Sequence, residues 1–130
     1  REALRFRPGP APAVVEVDGV RLGLAVCKDT GEPRHAADTA ALGVDAYVAG
    51  TVKHSWESDL QHERARRIAV EHGVWVAVAS FAGSTGEGYE SAAGRSAVWD
   101  PSGGMITSAG IGVDAVVRAV IPAGSTDGGA

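Results

Sequence analysis

Apolar residues follow two alternating spacings along this chain. Short apolar runs bounded by Gly, Asp and Pro read as strands, and stretches with apolar residues three to four apart read as helices. Residues 14–17 and 20–26 flank Asp18-Gly19, a strong short hairpin signal. The second run, Leu22-Gly23-Leu24-Ala25-Val26, leads directly into Cys27 and reads as a buried strand. A short polar turn over 29–32 follows, and Pro33 opens a helix that stops at Gly43. Its small-residue face is Ala36, Ala37, Ala40, Ala41 and Leu42. Residues 44–49 form the next strand, at a spacing that fits a right-handed parallel crossover.

After a loop over 50–56 comes the longest helix, 57–72, with Ser55 or Ser58 as its cap and Gly73 as its end. Leu60, Ala65, Ile68 and Ala69 mark its buried face. Arg64, Arg66 and Arg67 alternate with Glu63 and Glu71, which reads as a solvated face with weak ion pairs. Residues 74–79 form another buried strand, and two successive crossovers argue for an α/β sheet. A Gly-rich loop spans 80–94; at this length a loop is more often functional than filler. Residues 95–99 and 105–108 form a hairpin around the turn 100–104, residues 115–121 a last strand, and 122–130 a flexible Gly/Ser/Asp tail.

Composition narrows the function classes. The 130 residues, 45% hydrophobic and 22% charged, make one domain's worth of chain. A net charge of −4 carries no basic footprint for nucleic acid. No apolar run reaches membrane-spanning length. A single Cys forms no internal disulfide, which points to a reducing, cytoplasmic compartment. The opening at Arg1, followed by a Pro-rich approach, reads like the middle of a longer protein.

Cys27 is the chemical focus. At a strand-to-helix handover, backbone N–H groups and the helix dipole stabilise a thiolate and can hold an oxyanion. A lone cysteine is also common as inert packing. His35, just past Cys27, and His54, after the next strand, offer a local Cys/His alternative at the carboxyl edge of the sheet. His54, His62 and His72 lack metal-ligand spacing with Cys27, so neither metal nor cofactor is expected. Trp56 and Trp75 read as core or interface aromatics, with Trp56 also a pocket candidate. Tyr89 is a candidate cover for substrate, and Glu63 reads as solvent-facing. The Gly83–Gly88 stretch lacks a P-loop lysine and opens no helix.

Taken in order, these segments resemble the carbon–nitrogen hydrolase (nitrilase) superfamily. Gly23-Leu24-Ala25-Val26-Cys27-Lys28-Asp29 matches its cysteine strand, "G-apolar-apolar-apolar-C-x-D". Phe6-Arg7-Pro8-Gly9 looks like "F-x-P-G", and Gly43-Val44-Asp45 is similar to "G-A-D". The run RRIAVEHGVWV, ending at Val76, looks like "R-A-x-E-N-G-V-Y-V". Gly94-Arg95-Ser96 with Asp100-Pro101-Ser102-Gly103 is similar to "G-x-S … D-P-x-G". The resemblance implies the C-terminal half of an α-β-β-α sandwich over residues 1–121: a mixed sheet with two main helices.

It also implies a Glu-Lys-Cys catalytic set that cleaves a small amide, carbamoyl compound or nitrile through a cysteine thioester. Cys27 is then the nucleophile and the Lys28 backbone N–H an oxyanion donor. The family's Glu and Lys precede "F-x-P-G", upstream of this chain. Glu2 corresponds to a further glutamate of some members, and Asp29, His54 and Trp56 join it as substrate-pocket candidates. Gly31-Glu32-Pro33 replaces the usual "F-P-E", and Ser80-Phe81 stands where the family has Asn. The implied partners are the N-terminal half of the same domain and a second copy, docked through the helix layers. The competing expectation is a non-catalytic half-domain that serves as an interaction scaffold.

Overall fold

The computed structural model describes residues 11–86 and 88–122. The hairpin forms as the Asp18-Gly19 signal requires. Both turn residues take positive φ, 50° and 82°. This is the primed turn that matches the twist of paired strands. It joins β1 (Ala13–Val17) to β2 (Val20–Val26) in antiparallel register, with Val17 opposite Val20.

Two crossovers follow. Helix α1 (Pro33–Ala40) leads from β2 to β3 (Ala46–Thr51), and α2 (Ser58–His72) leads from β3 to β4 (Trp75–Ser80). Strands β2, β3 and β4 run parallel. A short hairpin of β5 (Ala82–Gly83) and β6 (Ala92–Ala93) stands apart as a two-stranded sheet. The chain then returns as β7 (Ala97–Trp99) and β8 (Met105–Ser108), each antiparallel to its neighbour. The main sheet is six-stranded and mixed, in the order β1-β2-β3-β4-β7-β8.

Both helices pack on one face of this sheet. Ala25, Tyr47, Ala49, Val76, Val78, Ala97 and Trp99 meet Ala36, Ala65, Ile68 and Ala69 in a single core. The opposite face carries the alternate residues. The register places Leu22, Ala46 and Trp75 in one row, Leu24, Val48 and Ala77 in the next, and Val26, Gly50 and Ala79 at the carboxyl end. No helix among the described residues covers that side, and Leu24 is 37% and Val26 72% exposed. No helix among the described residues is long and apolar enough to cross a membrane.

Several expectations need correction. Helix α1 ends at Ala40 rather than running on to Gly43. Leu42 and Gly43 belong to the closing turn, where their N–H groups donate to Thr39 and Ala40. Its buried residues are therefore Ala36 and Thr39, while Ala37, Ala41 and Leu42 face water.

Helix α2 starts after a 3₁₀ turn, Ser55–Glu57, with Glu57 at the cap position and no side-chain cap bond. Ser58 lies inside the helix, where its hydroxyl accepts from Arg95. The buried stripe runs through Ser58, Gln61, Ala65, Ile68 and Ala69, and Leu60 is 47% exposed. The polar Gln61 lies on the core stripe because its amide donates to the Ser80 hydroxyl, 3.1 Å away.

Residues 95–96 are not strand. Gly94 and Arg95 take positive φ, 58° and 57°, and turn the chain before β7 begins. Residues 115–121 form no strand either: they pair with no sheet edge, and Val116 and Val120 are 81% and 84% exposed. Phe6-Arg7-Pro8-Gly9 and most of the tail lie outside the described residues.

Candidate active site

The continuous apolar run of β2 stops at Val26, and the next residue changes the backbone. Cys27 takes φ +35°, a region that non-glycine residues seldom occupy. Strain of that kind costs about 1–3 kcal/mol and clusters at functional sites. From Cys27 the chain winds through a 3₁₀ turn, Cys27–Gly31, before Pro33 starts α1. The cysteine is therefore separated from α1 by one tight turn and does not itself start the long helix. The turn is held by the Thr30 hydroxyl, which donates to the Cys27 carbonyl at 2.7 Å, and by the Val26 N–H, which donates to Asp29 at 2.9 Å.

The Cys27 thiol is half-buried, and its Sγ lies 3.4 Å from the Val52 carbonyl oxygen, where the S–H can donate. Two clefts meet at this cysteine. One, about 550 Å³, is lined by Cys27, Lys28, Asp29, Lys53, Glu57 and Tyr89, with Val26 and Val52. The other, about 470 Å³, follows the carboxyl ends of β2, β3 and β4 past Val26, Gly50, Ala79, Phe81 and Ser96. Ligands gather at that edge of parallel sheets, and both volumes lie within the roughly 300–1,000 Å³ of small-molecule sites.

The structure separates the sequence candidates. Cys27, Lys28 and Asp29 share the larger cleft. Lys28 is the second residue of the 3₁₀ turn, where a backbone N–H has no partner within the turn itself. His54 and Trp56 do not line the cleft but stand behind Tyr89. His54 is sandwiched between Trp56, at 4.2 Å and 6°, and Tyr89, at 4.3 Å and 20°. Trp56 is 76% exposed, so it is neither a core aromatic nor a cleft wall. Glu2 lies outside the described residues. Glu63 does face solvent, where its bond to Arg66 holds its carboxyl below the ordinary value.

Neither local base candidate contacts the Cys27 thiol, whose Sγ lies against the Val52 carbonyl. Both ring nitrogens of His35 have partners other than Cys27: Nδ1 lies 2.7 Å from the Tyr47 hydroxyl, and Nε2 lies 3.6 Å from Asp29. His54 is fixed by its ring stack, and its backbone N–H donates to Glu57 Oε1 at 2.8 Å.

Lys53, Glu57 and Ser96 are cleft residues that the sequence pattern did not mark. Lys53 and Glu57 flank a loop too short for periodicity to carry a signal. Ser96 was within reach of the "G-x-S" resemblance. Its hydroxyl accepts from the Ser80 N–H at 2.8 Å and so fixes the end of β4 at the cleft.

The Gly-rich loop is also not free. Its hairpin base docks on residues 53–55: Ala93 donates to the Lys53 carbonyl at 2.8 Å, and Ser55 to the Ser91 carbonyl at 2.9 Å. That docking brings Tyr89 to the cleft wall.

Comparison with known proteins agrees with this architecture. The family model for carbon-nitrogen hydrolases matches residues 1–127. Hydrolase Rv0480c of Mycobacterium tuberculosis is 35% identical over 119 residues, which cover 84% of this chain and 42% of that protein. The chain thus spans less than half the length of the curated relatives it matches.

Among solved structures, Saccharomyces cerevisiae Nit3, a member of branch 10 of the nitrilase superfamily, superposes with a TM-score of 0.75 at 28% identity, covering 85% of this chain and 41% of Nit3. The NitN amidase from Nesterenkonia sp. AN1 gives 0.73 at 30% identity, covering 85% of this chain and 43% of the amidase. A mutant of that amidase carries the product of Michael addition of acrylamide at its active site cysteine, again at 30% identity, with a TM-score of 0.74 and coverage of 85% and 43%. With the matched family model, the half-sandwich of mixed sheet and two helices, and the cysteine at the end of β2, the chain belongs to the carbon–nitrogen hydrolase family of the nitrilase superfamily.

Proposed function

We propose that these residues form the nucleophile-bearing half of a thiol-dependent carbon–nitrogen hydrolase acting on a small amide, carbamoyl compound or nitrile. The observation that carries this reading is Cys27 itself: half-buried, at φ +35°, at the carboxyl end of a central parallel strand, where two clefts meet.

The reaction follows from the groups present. The Cys27 sulfur, its proton passed to a base, attacks the amide carbon and forms a tetrahedral oxyanion. The Lys28 backbone N–H is the oxyanion donor of this chain. The C–N bond then breaks, the departing amine takes a proton, and a thioester remains. Water adds to the thioester, the carboxylic acid leaves, and the thiol is restored.

Neither the general base nor the stabilising cation is assigned to a residue of this chain. In this reading the Glu and Lys that the resemblance implies come from a segment preceding Arg1. The exposed apolar sheet face supports this, since Leu24, Val26 and Val15 need a covering layer. We assign the complete protein to the cytoplasm, in line with the single cysteine of these 130 residues. A homodimer through the helix layers would use Leu60 and Val70, which α2 leaves exposed.

The test uses the complete polypeptide that carries these residues. Ammonia release from butyramide and related short amides is measured for wild type and Cys27→Ala, with intact mass after fluoroacetamide treatment. Wild type is expected to hydrolyse at least one such amide and to gain one covalent adduct, mapped to Cys27. Cys27→Ala should lose activity by ~10³-fold or more and gain no adduct. Retained activity in Cys27→Ala overturns the assignment.

A further inference from the structure

A nucleophile held on strained backbone relaxes unless its neighbours oppose the relaxation. Besides Thr30, three residues that do so at Cys27 form one chain of contacts. Asp29 Oδ2 accepts the Val26 N–H at 2.9 Å and so closes a ring of backbone around Cys27 and Lys28. The same oxygen lies 3.6 Å from His35 Nε2, in the first turn of α1. His35 Nδ1 lies 2.7 Å from the Tyr47 hydroxyl, and the two rings meet edge-on with centroids 5.8 Å apart. Tyr47 is 1% exposed and stands in the middle of the parallel sheet, opposite Gly23 of β2 and Val76 of β4.

Burial, with the charge of Asp29, pushes the Tyr47 phenol above its ordinary value, so it keeps its proton and is able to donate it. With the phenol donating to His35 Nδ1, the ring hydrogen lies on Nε2, facing the Asp29 carboxylate. At 3.6 Å that last link is an electrostatic contact rather than a full hydrogen bond. Asp29 Oδ2 thus joins the imidazole of His35 to the Val26 amide, which donates to it.

Resting on the reading of Cys27 as nucleophile, we propose that Asp29, His35 and Tyr47 are positioning residues that anchor the Cys27–Lys28 turn to the core of the sheet and hold its thiol and amide in reactive geometry. Asp29 thereby acquires a role different from a substrate contact. His35 acts through Asp29 and not as a base on the thiol.

The experiment follows Cys27 alkylation by iodoacetamide in the complete polypeptide, by intact mass against time, for wild type, Tyr47→Phe, His35→Ala and His35→Gln. Butyramide kcat and KM and thermal melts are taken alongside. Misplacing a reacting group by about 1 Å costs up to about 10²-fold, and a smaller shift costs less. Tyr47→Phe and His35→Ala should each slow alkylation by about three- to tenfold, lowering kcat with little change in KM. His35→Gln should restore more than half of the loss in logarithmic terms, because its amide nitrogen can still face Asp29.

Rates within twofold of wild type in both Tyr47→Phe and His35→Ala overturn the proposal, whatever the melts show. Equal loss in His35→Gln and His35→Ala also overturns it. Should His35→Ala fail to fold, Tyr47→Phe decides alone, since it removes one oxygen and keeps the ring. Alkylation is read without turnover, so a protein that hydrolyses no amide would sink the enzymatic reading and leave this test standing.

Discussion

Gly23 gives the sharpest test of how β2 is placed. It faces the helices two residues before Ala25, and a Cβ there would overlap the Thr39 methyl of α1 and come within 3.2 Å of Val44. Thr39 has little freedom to move aside. It is 0% exposed, and its hydroxyl donates to the His35 carbonyl at 2.6 Å, so swinging the methyl away breaks that bond. Gly23→Ala must therefore push α1 outward or give up the hydrogen bond. Overpacking of this kind costs about 1–3 kcal/mol. For a domain of 150–250 residues that lowers Tm by roughly 2–12 °C, at about 2–4 °C per kcal/mol.

The assay is a thermal melt of the complete polypeptide with four chains: wild type, Gly23→Ala, Thr39→Ser and the double variant. Thr39→Ser keeps the hydroxyl and removes the methyl that the new Cβ meets. The double variant should recover more than half of the Gly23→Ala loss. A Gly23→Ala melt within about 1 °C of wild type would refute the close approach of β2 and α1. Strictly additive effects would show that the Thr39 methyl is not the obstacle.

Other expectations are as direct. Trp99 is 2% exposed and meets the His62 ring edge-on at 5.1 Å, so Trp99→Ala should cost about 3–5 kcal/mol in a urea melt. Tyr47 keeps its proton when folded to a higher pH than when unfolded. Its contribution to stability is thus whole below the ordinary tyrosine value of about 10 and is lost as pH rises through the higher folded value. Melts taken upward from pH 9 should fall more steeply for wild type than for Tyr47→Phe, and parallel curves would refute the burial argument. Leu24→Asp tests whether the bare sheet face is covered in the complete protein. A covered face makes it an unpaired buried charge costing about 3–5 kcal/mol, whereas a wet one leaves the change within about 0.5 kcal/mol.

The elements written by local chemistry were legible in the sequence. Asp18-Gly19 and Gly73 take the positive φ their residue types favour, and the apolar run 22–26 forms the strand that delivers Cys27. What failed depended on partners distant in sequence. Leu60 and Gln61 are neighbours on α2, and hydrophobicity alone chose the wrong one, because the Gln61 amide nitrogen finds an acceptor in Ser80, 19 residues away. Residues 115–121 are apolar and Val-rich apart from Arg118, like a strand, yet composition cannot supply an edge to pair with. The Asp29–His35–Tyr47 contacts were invisible for a similar reason. His35 follows Cys27 by eight residues, which suggested a dyad, but a tyrosine on the following strand claims its ring.

The geometry of β2 also ties the bare sheet face to the site. Strand residues alternate between faces, so Val26 points away from the helices while Cys27 starts the turn above it. Val26, Gly50 and Ala79 share one row of the register at the carboxyl end of the sheet, and all three line the cleft that reaches Cys27. Two of these residues are small, which leaves room above them. A layer that buries Leu24 and Val26 must therefore also reach the rim of the Cys27 cleft. Covering the apolar face and completing the site are a single packing event. On the proposed reading of Cys27 as nucleophile, this geometry lets the thiol belong to one half of the domain while the groups that serve it arrive with the other.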